Sequence, residues 1–106
     1  MTNPDDLRDL ERELDRVVDR LTSLPLARVE GTAPACRRAA ALILQQTRLI
    51  TDDVPADACV PELQPHGLGA MLAVLGRDYL DAARASADAD VSVVTAALVD
   101  LRRALP

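Results

Sequence analysis

The sequence predicts an all-α fold, an antiparallel four-helix bundle forming a single domain over residues 1–106, and three observations predict it. Hydrophobic residues make up 49% of the chain and are mainly Leu, Ala and Val, with one Tyr and no Phe or Trp. Small and aliphatic side chains of this kind pack helix on helix. They recur at three- and four-residue intervals through four stretches, and Pro and Gly gather mostly between those stretches, where they punctuate the chain. A chain of 106 residues buries a modest core without disulfides or metal.

The first helix is capped by Asn3, with Pro4 in its first turn and Asp5 and Asp6 complementing the helix dipole. Leu7, Leu10, Leu14, Val17, Leu21 and Leu24 follow in an unbroken 3-4-3-4-3 alternation, a coiled-coil type of seam. Asp9, Arg12 and Asp15, and Glu13, Arg16 and Asp19, form i,i+3 charge ladders on its outer faces. Pro25 ends the element. A loop of about nine residues, containing Gly31, Thr32 and Pro34, is expected next. The second helix then runs from Ala35 to about Thr51 on a stripe of Cys36, Ala40, Ile43, Thr47 and Ile50, which Leu42 and Leu49 widen. Met1 to Pro25 carries 4 Arg against 7 acids, whereas Leu26 to Thr51 carries 4 Arg against Glu30 alone. An antiparallel hairpin of acidic and basic neighbours is the simplest expectation from that asymmetry.

Asp52 to Gln64 is the longest connection, holding Asp52, Asp53, Asp57 and Glu62 between Pro55 and Pro61 and near them. The third helix is expected from Pro65 to about Ala85. From Leu63 to Gly76, LQPHGLGAMLAVLG, there is no charged residue, and a helix apolar on every side is surrounded by protein. Gly69 and Gly76 lie seven apart on one face of it, with Ala73 between them, so that another backbone can approach closely. Asp90 is placed to cap the fourth helix, whose seam is Val91, Val94, Leu98, Leu101 and Leu105. The β-branched run Val91–Thr95 also suits a strand, but the 3-4 spacing continues through it into Leu105 and favours helix.

Net charge is −5, all twelve basic residues are Arg, and there is no Lys. The Arg and Ala usage is the imprint of a GC-rich bacterial genome, and the lack of Lys excludes Schiff-base chemistry. An acidic chain with no basic tail and one Tyr is not expected to bind nucleic acid. No run is long and apolar enough for a membrane span, and the acidic opening is not that of a signal peptide. Cys36 and Cys59 therefore read as reduced thiols of a cytoplasmic protein.

Chemistry-bearing constellations are sparse. Cys36, Cys59 and His66 are the only soft metal ligands; their spacings of 23 and 7 lack a close pair, and a carboxylate such as Asp57 or Glu62 would have to join them. Neither a metal nor any cofactor is expected. His66-Gly67 at a helix start could stand beside an anion, while Gly67-x-Gly69 lacks the remainder of a nucleotide fingerprint. No G-x-S-x-G or Glu-x-x-His pair occurs. The stretch LRDLERELDRVVDRL, Leu7 to Leu21, resembles the opening helix of all-helical chorismate mutases. Their Lys-containing substrate cluster has no counterpart downstream, so the resemblance implies no such activity here.

The function expected is thus non-enzymatic: a cytoplasmic interaction or regulatory module whose partner is another protein or a second copy of the chain, as a homodimer. Its expected contact surface is the charge-free third helix, with His66, Leu68, Gly69, Met71, Leu72, Leu75, Gly76 and Tyr79 facing a partner or ligand. The alternative is a small-ligand-binding bundle with an apolar cavity edged by Met71, Tyr79 and His66.

Overall fold

Asn3 begins the first helix as its spacing demands: its Oδ1 accepts the Asp5 N–H at 2.9 Å. A computed structural model describes residues 3–52, 54, 67–86 and 89–106 of the chain. It contains four helices, α1 (Pro4–Ser23), α2 (Leu26–Ile50), α3 (Leu68–Ala85) and α4 (Ser92–Ala104), packed on one another as an all-α four-helix bundle. The α1 seam is buried through Leu10, Leu14, Val17 and Leu21, with Leu7 and Leu24 half-buried at its ends. Asp90 opens α4 with its carboxylate, accepting the Ser92 N–H at 3.0 Å and the Ser92 hydroxyl at 2.6 Å. Val91, Val94, Leu98 and Leu101 then line the core.

The second helix corrects the expectation of a loop before Ala35. It starts directly after Pro25, whose carbonyl accepts the Arg28 and Val29 N–H groups, and it passes through both Gly31 and Pro34. The reason lies in the core seam, which extends back from Cys36 to Ala33 and Val29, both buried. From Val29 to Ile50 the intervals are 4-3-4-3-4-3, and burial of the first two positions outweighs the breakers. Pro34 lies on the exposed face, as does Glu30 one turn before it. The Glu30 carbonyl that Pro34 cannot serve therefore faces water instead of the core. Thr32, buried beside them, donates its hydroxyl to the Val29 carbonyl at 2.6 Å.

The helices interleave. Both α3 and α4 pack against α1 and against α2, so the two halves of the chain are not two separate hairpins. Leu21 and Thr22 lie beside Gly69 while Leu14 lies beside Gly76, so α1 and α3 run antiparallel. Glu13 meets Arg102, and Arg20 meets Pro106, so α1 and α4 run parallel. The end of α2, Thr47 to Thr51, lies against Asp78 to Ala85, and α2 therefore runs in the same general direction as α3. Consequently α2 ends and α3 begins at opposite ends of the bundle, about 27 Å apart for the 18 residues of α3. The acidic connection, including Asp57, Cys59 and Glu62, lies outside the described residues, as do Pro65 and His66.

Two substitutions test the long α2. A Cβ on Gly31 would meet nothing within 4 Å, so Gly31→Ala should raise stability by about 1 kcal/mol through helix propensity. Pro34→Ala should also stabilise, because it restores a helical hydrogen bond on an exposed face. Thermal or denaturant unfolding checks both. Losses of stability from both replacements would mean that residues 26–34 are a loop.

Candidate functional site

The residues expected to face a partner are core residues of the chain itself. Leu68, Gly69, Met71, Leu72, Gly76 and Tyr79 are buried, Leu75 is half-buried, and His66 lies outside the described residues. The physical reason is the position of α3, which has α1 on one side and α2 on the other. Two neighbours require two apolar faces, so the absence of charge from the first half of α3 reflects enclosure by its own chain. Only Val74, with Ala70, keeps an apolar position of that segment in solvent.

The two glycines of α3 differ in what they permit. A Cβ on Gly76 would stand 2.5 and 2.7 Å from the Leu14 methyl carbons and 3.1 Å from its Cγ. Since Leu14 is itself buried, there is little room for it to withdraw. A Cβ on Gly69 would be in ordinary contact, 3.5 Å from the Thr22 hydroxyl. Tyr79 is buried too; its hydroxyl donates to the Asp90 carbonyl at 3.4 Å and ties α3 to the turn before α4. Burial pushes its pKa up, and the Asp90 charge adds to this.

The acids of α1 expected to complement α2 instead bind α3 and α4. Arg77 donates to Glu11 at 2.8 Å and to Asp15 at 2.7 Å, and Arg84 reaches the other Glu11 oxygen at 3.3 Å. The Arg77 hydrogen bond, reinforced by the charges of Arg77 and Arg84, holds the Glu11 carboxyl below its usual range. Glu13, nearly buried, accepts from Arg102 of α4 at 2.8 Å and from Arg16 at 3.2 Å. These carboxylates are therefore occupied as ties between helices. Cys36 is fully buried and its thiol donates to Thr32 at 3.6 Å; burial pushes its pKa up. A protonated, enclosed thiol is a poor nucleophile and a poor metal ligand. Among the described residues, no group of His, Cys, Asp and Glu side chains could hold a metal ion. Nor is any helix among them long and apolar enough to cross a membrane.

Clefts open on the surface formed by the described residues. One, of about 370 Å³, lies at the end of α2 between Thr47, Ile50 and Thr51 and the α3 residues Asp78, Asp81 and Ala82. A second, of about 300 Å³, runs between α2 and α4. Alanines 35, 39, 97 and 104 line it, with Leu42 and Leu101, and Arg38 and Asp100 add charge. Its α2 wall belongs to an outer seam that sequence reasoning passed over: Gly31, Ala35, Arg38, Leu42, Gln45 and Leu49, spaced 4-3-4-3-4. The signal was present, because Leu42 and Leu49 fall seven apart and outside the core stripe. The α4 helix has 13 residues against the 25 of α2, so it covers only part of this seam. Leu49 is left 71% exposed, and Leu26, at the other end of α2, 54%.

The fold places this chain in the class of small all-α four-helix bundles. Comparison with known proteins takes the matter no further, since no family model, curated protein or solved structure matches the chain.

The account of α3 makes a paired prediction. Gly76→Ala should destabilise the protein by about 1–3 kcal/mol through overpacking against Leu14. Gly69→Ala should be neutral or stabilising, because propensity gains while contact stays ordinary. Equal effects of the two changes in denaturant unfolding would contradict the close approach at Gly76.

Proposed function

We propose that the protein is a non-catalytic protein-interaction module whose docking surface is the outer seam of α2 together with its groove against α4. One observation carries this reading: a second helical seam, beside the core seam, is left incompletely covered by the described residues because α4 is shorter than α2. Leu49 is 71% exposed, and burying a side chain of that size against a partner would contribute on the order of 1.5–3 kcal/mol. An incompletely filled seam at i, i+4, i+7 spacing is suited to an incoming helix laid into a groove. Further support is the buried state of α3, which leaves α2 as the helix with the most exposed apolar side chains. The fully buried Cys36 and the tied carboxylates of α1 offer no competing chemistry.

The diagonal placement of α1 and α2 also bears on self-association. Their outer faces point away from each other, so pairing α1 of one copy with α2 of another would be heterologous and would build rings or open chains, not a symmetric dimer. The occupant proposed is a foreign partner, and a symmetric α2-to-α2 pair of copies is the competing outcome. Site-specific photo-crosslinking in the cells that make the protein tests this. A crosslinker at Gln45, in the outer seam, should capture a discrete protein adduct, whereas one at Asp19, on the outer face of α1, should not. Equal capture from both positions, or none from Gln45, contradicts the docking surface.

A further inference from the structure

The first nine residues of α2, Leu26 to Pro34, are held as helix on weaker terms than the rest of the bundle. No side chain caps their N-terminus and no acid stands in the first turn, whereas α1 has the Asn3 cap with Asp5 and Asp6 behind it. Arg28 stands there instead, a positive charge beside the positive end of the helix dipole. Gly31 lowers helix propensity and gives no packing in return, since even a Cβ there would meet nothing within 4 Å. Pro34 removes a helical hydrogen bond and crowds the Glu30 carbonyl with its ring. Against these stand three buried residues, Val29, Thr32 and Ala33, and the other six of the segment are exposed. From Ala35 to Ile50 no Gly or Pro recurs, and Cys36, Ala39, Ala40, Ile43 and Leu44 are all buried.

The weak segment covers one group with chemistry of its own. A helical side chain leans toward the N-terminus of its helix, over the turn before it. Cys36 does so: its thiol donates to the Thr32 hydroxyl at 3.6 Å, and that hydroxyl donates in turn to the Val29 carbonyl at 2.6 Å. Both partners belong to the weak segment. Unwinding it would break this relay and open the enclosed thiol to solvent from the side of Thr32 and Ala33. Neither neighbour would have to move, because unwound residues reach further than helical ones, about 3.3 Å each against 1.5 Å.

We infer that Leu26–Pro34 is a hinged segment that opens as a unit while the bundle stays folded, with Pro34 at the hinge, and that it gates access to the Cys36 thiol. This hinge is independent of the docking surface proposed above. Pro34 marks where opening stops, because the seam beyond it is continuous and buried. In the closed state burial pushes the thiol pKa up, and a protonated, enclosed thiol does not react. In the open state that enclosure is gone and the thiol ionises in the ordinary range of a cysteine. Cys36 then reacts in proportion to the open population of the segment.

The experiment is alkylation of the native protein with iodoacetamide, read by mass on the peptide that carries Cys36 and not Cys59, alongside amide hydrogen exchange. Cys36 should be alkylated at least tenfold faster than global unfolding permits. Low concentrations of urea should barely change that rate, since local opening exposes little surface. The amides of Glu30 to Ala33 should exchange at least tenfold faster than those of Ala40 to Leu44. Gly31→Ala should slow alkylation about fivefold and Pro34→Ala at least as much, whereas Gly69→Ala in α3 should leave it unchanged. Alkylation no faster than global unfolding, or with its full urea dependence, would overturn the hinge. Fast alkylation that Gly31→Ala and Pro34→Ala leave unaltered would show Cys36 reached from another side and overturn the gating.

Discussion

The approach of α3 to α1 at Gly76 is the constraint on which the remainder of the bundle depends. With no side chain at that position, the α3 backbone sits against Leu14, and the two seams mesh from Leu21 beside Gly69 down to Leu14. That closeness puts α3 within the chain's own core, between α1 and α2. Arg77 and Arg84 then fall opposite Glu11 and Asp15, so the ion pairs lock the same register that the glycine permits. Exposed pairs of this kind contribute little individually. Their value here is in setting alignment, because a slip of one turn would separate Arg77 from one of the two carboxylates it bridges.

A second consequence is the unequal cover of α2. One helix of 25 residues is packed against partners of 18 and 13, and the shorter of these, α4, runs beside its outer seam. A bundle of equal helices would have hidden Leu42 and Leu49 alike. Here Leu42 is half-buried in the groove while Leu49 is exposed. Fold and proposed function are linked through this difference in length, since the helix that is too long for its neighbours is the one with surface to offer.

Much of the fold was legible in the residues. The α1 seam, its Asn3 cap and the Pro25 stop were all readable because each is a local signal. Asp90 was equally clear as the start of α4. The beginning of α2 was not, because Gly31 and Pro34 are strong breakers and the seam that overrides them consists of only Val29 and Ala33 at that end. The partners of the α1 acids were also hidden: charge sums for α1 and α2 matched one another, but the helices that touch are decided by the close approach at Gly76. The candidate site was the least legible part. An apolar α3 reads the same whether it is enclosed by its own chain or by another, and only its two neighbours distinguish the cases. The outer seam of α2 lay in view at Leu42 and Leu49, yet its exposure depends on the length of α4.

The most direct test of this arrangement is a nuclear Overhauser measurement between the Leu14 methyl groups and the Gly76 α-protons in a selectively labelled sample. Strong cross-peaks, with none from Leu14 to the α2 seam residue Ala40 of comparable intensity, are the result this structure requires. Cross-peaks from Leu14 to Ala40 in place of Gly76 would show α1 and α2 packed as a simple hairpin. They would remove both the interleaved core and the uncovered face of α2 that follows from it.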